Sequence, residues 1–234
     1  MDLNGDGIMD FVSGDYESGN IYYFEGTKTG FKAKQIIHEE WQRKDCKVPQ
    51  MLERDGKQII NPAWEMASVP MDRQMGTVSF IDWDADGDTD MIVGNVSGKI
   101  YLNINQGTKM IPKFGKRVPL IVNGNPMQVY GKSDPAPVDW DGDGIIDVIV
   151  GDELGGITFF KGNKDRTFEP GLSLFTGNKI ASGDRDWWNK DRGWEQLRIR
   201  ICVTDWNNDG KLDVLVGHTG FYGKPSGVSV LLQK

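Results

Sequence analysis

One nine-residue pattern limits what this chain can fold into more than any other feature. Asp139-Trp140-Asp141-Gly142-Asp143-Gly144-Ile145-Ile146-Asp147 carries side-chain oxygens at positions 1, 3, 5 and 9 and a glycine at position 6, and the apolar run Val148-Ile149-Val150-Gly151 follows at once. The pattern occurs four times. The other copies begin at Asp2, Asp82 and Asp205, so successive copies start 80, 57 and 66 residues apart. Carboxylates at alternate positions cannot share one tight turn unless a cation neutralises them. A hard divalent ion that accepts six to eight oxygens suits such a turn.

The ion expected is Ca²⁺, up to four per chain. The candidate ligands are Asp2, Asn4, Asp6, Ile8 and Asp10; Asp82, Asp84, Asp86, Asp88 and Asp90; Asp139, Asp141, Asp143, Ile145 and Asp147; and Asp205, Asn207, Asp209, Lys211 and Asp213. Position 7 of each set enters through its backbone carbonyl, as in known calcium loops. An EF-hand would need a glutamate at position 12. Here position 12 is Ser13, Val93, Val150 or Val216. The closing carboxylate comes early and a strand begins immediately. The loops therefore join strands, not helices.

The repeat extends beyond the loop. After each ninth-position Asp a strand ends in glycine (Phe11 to Gly14, Met91 to Gly94, Val148 to Gly151, Val214 to Gly217). A small-residue turn leads to a second strand at Ile21 to Phe24, Ile100 to Ile104, Ile157 to Phe160 and Val228 to Leu232. In three copies a phenylalanine opens a further strand, at Phe31, Phe114 and Phe168; before three loops lies an inner strand, at Val78 to Ile81, Ala136 to Val138 and Ile201 to Thr204. Each full repeat then reads as four antiparallel strands, A to D, with the acidic loop joining A to B. Four-stranded units in series imply an all-β fold, a β-propeller or propeller segment of about four blades, the first and last incomplete.

The D-x-[DN]-x-D-G-x-x-D loop, the V-x-V-G strand and the S-G turn together resemble the FG-GAP/VCBS repeats of integrin-type calcium-binding propellers. All four repeats match. The resemblance implies fold and calcium, and it implies no single activity, because propellers of this kind serve adhesion, lectin-like binding and polysaccharide cleavage alike.

One domain, 1–234, is expected, with repeats at 1–36, 77–120, 134–176 and 198–234 and insertions at 37–76, 121–133 and 177–197. Repeat 1 opens inside its loop and repeat 4 stops after strand C. The expectation is a second copy, or the remainder of a larger propeller, as partner. Strand parity puts the insertions on the face opposite the acidic loops. Of the eight tryptophans, Trp83, Trp140 and Trp206 take position 2 of a loop and are expected to pack between blades. The other five, Trp41, Trp64, Trp187, Trp188 and Trp194, lie in insertions beside charged residues such as Arg192. A flat aromatic beside Arg, Asp or Asn can stack on a sugar ring and bond its hydroxyls, and aromatic clusters also mark protein interfaces. A glycan or protein ligand is therefore expected there, through Trp187, Trp188, Trp194, Arg192, Trp41 and Trp64; pinning of long loops is the other reading.

The net charge of −7 argues against nucleic acid. Fourteen of the 34 acidic residues sit at positions 1, 3, 5 and 9 of the loops, and four Ca²⁺ would bring the formal charge to about +1. No apolar run is long enough to span a membrane. Cys46 and Cys202 are expected as separate thiols, and Asn95-Val96-Ser97 fits a glycosylation sequon. His38-Glu39-Glu40-Trp41-Gln42 lacks the second histidine of a zinc-protease helix. No catalytic residue is assigned. The expectation is a calcium-stabilised binding, adhesion or scaffold module located outside the cytoplasm (extracellular, cell-surface or periplasmic). The alternative is the propeller of a polysaccharide lyase or glycoside hydrolase.

Overall fold

The computed structural model describes residues 1–16, 19–38, 51–54, 56–60, 76–175, 197–219 and 226–233. Among these there is no helix, and hence none long and apolar enough to cross a membrane. The chain is all-β and forms four antiparallel blades in sequence order. Blade one holds strands B (Phe11–Gly14), C (Ile21–Phe24) and D (Gln35–His38). Blade two holds A (Thr77–Ile81), B (Asp90–Gly94), C (Ile100–Asn103) and D (Val118–Pro119). Blade three holds A (Asp134–Val138), B (Asp147–Gly151), C (Ile157–Phe160) and D (Leu172–Phe175). Blade four holds A (Leu197–Thr204), B (Asp213–Thr219) and C (Gly227–Leu231).

The A strands of blades two, three and four lie side by side. This is the arrangement in which inner strands surround a propeller axis. The recurring glycine that ends strand B explains how closely they approach. A Cβ on Gly14 would lie 1.5 Å from the Gly76 carbonyl oxygen, and one on Gly94 would lie 2.2 Å from that of Ser133. Each of these glycines lets the next blade's inner strand come in against the backbone.

The core sits between blades, in three clusters. Leu3 and Ile21 of blade one are buried with Met91, Val93 and Phe114 of blade two. Trp83 and Ile100 of blade two are buried with Val148, Val150, Phe160 and Phe168 of blade three. Ile157 of blade three is buried with Ile199, Val214 and Val216 of blade four, and Trp140 packs against that cluster. The B strands of blades two and three are buried at every position, so they read as continuous apolar runs with no alternation.

Several expectations are corrected. Each signature phenylalanine precedes strand D by four residues and does not open it: Phe31, Phe114 and Phe168 against strands beginning at Gln35, Val118 and Leu172. Phe114 and Phe168 are buried as plugs between blades, whereas Phe31 is exposed. Trp206 is also exposed, not packed between blades: no described blade lies against its side of blade four. Asn95 of the sequon is fully buried, with its side-chain oxygen accepting from Ser97 and from the Lys99 amide, so it cannot carry a glycan. Two hairpins lie inside the insertions: Met51–Arg54 with Lys57–Ile60, and Ile121–Val122 with Asn125–Pro126.

Candidate metal centres

All four acidic loops close in the same way. The first-position Asp accepts the amides of positions 5 and 6 with its two oxygens. For Asp139 these are the Asp143 and Gly144 amides, at 3.0 and 2.9 Å. Asp2, Asp82 and Asp205 repeat the pair at 2.9–3.1 Å. The fifth-position Asp accepts the amide of position 7, that of Ile8, Asp88, Ile145 or Lys211. The sixth-position glycines hold φ between 82° and 95°, with open space where a Cβ would stand. Glycine is needed there for its backbone conformation, not for room. Position 4 is also left-handed, in Gly5, Ala85, Gly142 and Asn208, a second backbone demand that the ligand pattern does not announce.

The ninth-position Asp has a role that sequence reasoning missed. Asp10, Asp90, Asp147 and Asp213 are buried, and each clamps two segments. One oxygen accepts the position-2 amide of its own loop, from Leu3, Trp83, Trp140 or Trp206, at 2.8–3.0 Å. The other accepts an amide just past the end of strand C, from Gly26, Asn105, Gly162 or Gln233, at 2.7–2.9 Å. The acidic loop is thereby tied to the third strand of its own blade. Burial pushes the Asp90 and Asp147 carboxyls above the ordinary carboxylate range, and the two amides on each pull the other way.

The remaining oxygens suit a hard cation. Asp82, Asp84 and Asp86 bring ligand atoms within 4.8 Å of one another, as do Asp139, Asp141 and Asp147. In the second loop, Asp84 Oδ1 and Asp88 Oδ1 are buried with no hydrogen-bond partner. Burial first, then the charge of Asp86, raises the Asp88 carboxyl, against the opposing pull of the Asn105 side chain. Buried carboxylate oxygens without a donor are costly unless an ion meets them, so this loop fits Ca²⁺. Loops one and four reduce their own repulsion. Asn4 and Asn207 each donate to the fifth-position Asp, at 3.4 and 3.0 Å.

The third loop differs. Lys161, just past strand C, donates to Asp141 and, at 2.9 Å, to Asp143. This hydrogen bond, with the Ile145 amide second, holds the Asp143 carboxyl below the usual range. The residues before the other three clamp amides are Glu25, Ile104 and Leu232, none of them cationic, and Glu25 pairs with Lys32 at 2.5 Å.

The tryptophan-rich set Trp41, Trp64, Trp187, Trp188, Trp194 and Arg192 lies outside the described residues, as does Cys46; the Cys202 thiol is free and exposed.

A family model matches part of this architecture. The family model described as FG-GAP-like repeat matches residues 139–216, which run from the third metal loop to strand B of blade four. Among solved structures, the chain is similar to one titled "Structural basis of specific recognition of non-reducing terminal N-acetylglucosamine by an Agrocybe aegerita lection". The identity is 20%, the TM-score is 0.42, and the alignment covers 97% of this chain and 50% of that one. The chain thus spans about half the length of that structure. The match over residues 139–216 is consistent with an FG-GAP/VCBS repeat family, and the four loops of one geometry and the four blades extend the same repeat pattern beyond the matched residues.

Proposed function

We propose that the chain is a calcium-stabilised binding module that works outside the cytoplasm and does no chemistry of its own. One observation carries the calcium reading: Asp84 Oδ1 and Asp88 Oδ1 are buried, without donors, inside a loop of five carboxylates. A divalent ion held by Asp82, Asp84 and Asp86 would meet the Asp84 oxygen and reduce the repulsion that also bears on Asp88. Extracellular calcium modules commonly bind at about 10⁻⁴–10⁻³ M, which suits a compartment rich in the ion. Each Ca²⁺ would tie strand A to strand B, while the ninth Asp ties the loop to strand C. Metal occupancy would then be linked to folding.

The ligand is read as a glycan, with a protein surface as the other class, on the strength of the tryptophans and Arg192 in the insertions. A second copy, or further blades of a larger propeller, completes the partner set. The test combines thermal unfolding followed by circular dichroism in millimolar calcium and in EGTA with a glycan array run in calcium. Calcium should raise the melting temperature, and the array should show saturable binding. Equal melting temperatures in the two buffers would remove the calcium reading. An empty array beside a positive protein pull-down would move the ligand to the protein class.

A further inference from the structure

The three internal interfaces follow one rule. Each blade offers its position-2 residue and the first residue of strand C to the blade that follows. These are Leu3 with Ile21, Trp83 with Ile100, and Trp140 with Ile157. The following blade receives them on the first and third residues after the ninth-position Asp, namely Met91 with Val93, Val148 with Val150, and Val214 with Val216. In blades two and three the signature phenylalanine joins the receiving side: Phe114 lies in the cluster with Leu3, and the Phe168 ring lies 6.1 Å from Trp83. The register fixes the equivalences, since Ile21, Ile100, Ile157 and Val228 all pair with the glycine of strand B.

Blade four keeps its offering side, and no other described residue buries it. Trp206 is 58% exposed and Val228 is 72% exposed, whereas Ile21, Ile100 and Ile157 are at most 1% exposed. Blade one keeps its receiving side, equally uncovered. Phe11 is 53% exposed where Met91, Val148 and Val214 are buried, and Phe31 is 60% exposed where Phe114 and Phe168 are buried. Phe11 and Phe31 already sit together, with ring centroids 6.3 Å apart. This single chain carries both halves of one more interface of its own kind, at opposite ends of the array.

We infer that a second copy of the chain fills both faces head to tail: blade four of one copy docks on blade one of the other, with Trp206 and Val228 meeting Phe11 and Phe31. The contact is heterologous, and it closes into a ring if the rotation allows. Two copies bring eight blades, within the usual four to eight of propellers. The inference names the partner within the binding-module reading and rests on its propeller architecture, not on metal occupancy.

The test is light scattering and sedimentation equilibrium on the full chain from micromolar to about hundred-micromolar concentration, in calcium and again in EGTA. The wild type should sediment with the mass of two chains. Val228→Arg and Phe11→Arg, both at exposed positions, should each keep the wild type's circular dichroism spectrum and sediment as single chains. Mixing the two variants should restore pairing, because the mixture retains one intact contact. A monomeric wild type across the range overturns the inference, and so does either variant that still pairs. A mixture that stays monomeric overturns the head-to-tail polarity. None of these outcomes bears on calcium, which the melting comparison tests separately.

Discussion

Replacing Asp147 by Asn separates the two jobs given to the ninth-position carboxylate. In wild type its oxygens accept the Trp140 amide at 3.0 Å and the Gly162 amide at 2.7 Å, and the residue is fully buried. Asn retains one acceptor and points an N–H₂ at the other amide. One charge-assisted bond disappears, the second weakens to a neutral one, and a buried backbone N–H loses its partner. Bonds to charged groups contribute about 1.5–3 kcal/mol and an unsatisfied buried donor costs about 1–3 kcal/mol. Relief from burying a carboxylate offsets part of this. A net loss of about 3 kcal/mol in a chain of this size lowers the melting temperature by roughly 6–12 °C. The decisive assay is circular dichroism in EGTA, where no ligand role can contribute. The parallel variant Asp84→Asn removes a charge whose Oδ1 has no donor, so in EGTA its melting temperature should hold or rise, and its increment from calcium should shrink. If Asp147→Asn melts like the wild type in EGTA, the clamp is unimportant and the argument from these two hydrogen bonds is wrong.

Other consequences concern packing, pH and the third loop. Phe168→Ala empties the plug beside Trp83 and should cost about 3–5 kcal/mol, measured by urea unfolding. Gly94→Ala forces a Cβ within 2.2 Å of the Ser133 carbonyl and should reduce soluble yield, whereas Gly124→Ala, with open space around it, should pay only the left-handed backbone cost of about 1–2 kcal/mol. Burial raises the Asp134 carboxyl, against the opposing pull of Arg200 and the Ile201 amide. The folded state therefore holds that proton more tightly than the unfolded one, and this group's contribution to stability falls as pH rises from the ordinary carboxylate range through the raised native value. Asp134→Asn should flatten that part of the stability–pH curve, and an unchanged curve would contradict the assignment. Lys161→Met should lower the melting temperature in EGTA yet tighten one calcium site in titration calorimetry, because the ammonium that stands in for a cation at Asp141 and Asp143 is gone; equal losses in both buffers would make Lys161 merely structural.

Sequence carried much of this architecture because its signals are local. The acidic loops, the glycine-terminated B strands and the C strands after an S-G turn each lie within about ten residues, where chemistry and backbone geometry are read together. Strand C of blade three, Ile157–Phe160, and strand B of blade one, Phe11–Gly14, sit where the pattern puts them. The clamp was not legible for the opposite reason. Its second partner is a backbone amide 15 to 20 residues away, offered by glycine, asparagine or glutamine with no common side chain. Lys161 was hidden similarly, since nothing near it in sequence marks it as facing a loop 20 residues earlier. The signature phenylalanines were misread as strand openers because an aromatic after a polar turn fits either a strand or a plug, and only burial against the preceding blade separates the two. Trp206 shows the limit of repeat logic: its chemistry matches Trp83 and Trp140, but burial depends on a neighbouring blade, and no described blade lies against it.

The most direct measurement is a crystal structure of the full chain grown in millimolar calcium, read at the four A–B loops. The account predicts an ion at the second loop, held by oxygens at about 2.3–2.6 Å and including Asp84 and Asp88 in its surroundings, with ions also in the others. In the third loop Lys161 should have swung away from Asp141. Well-ordered loops with no ion in any of them, at that calcium concentration, would contradict the central claim.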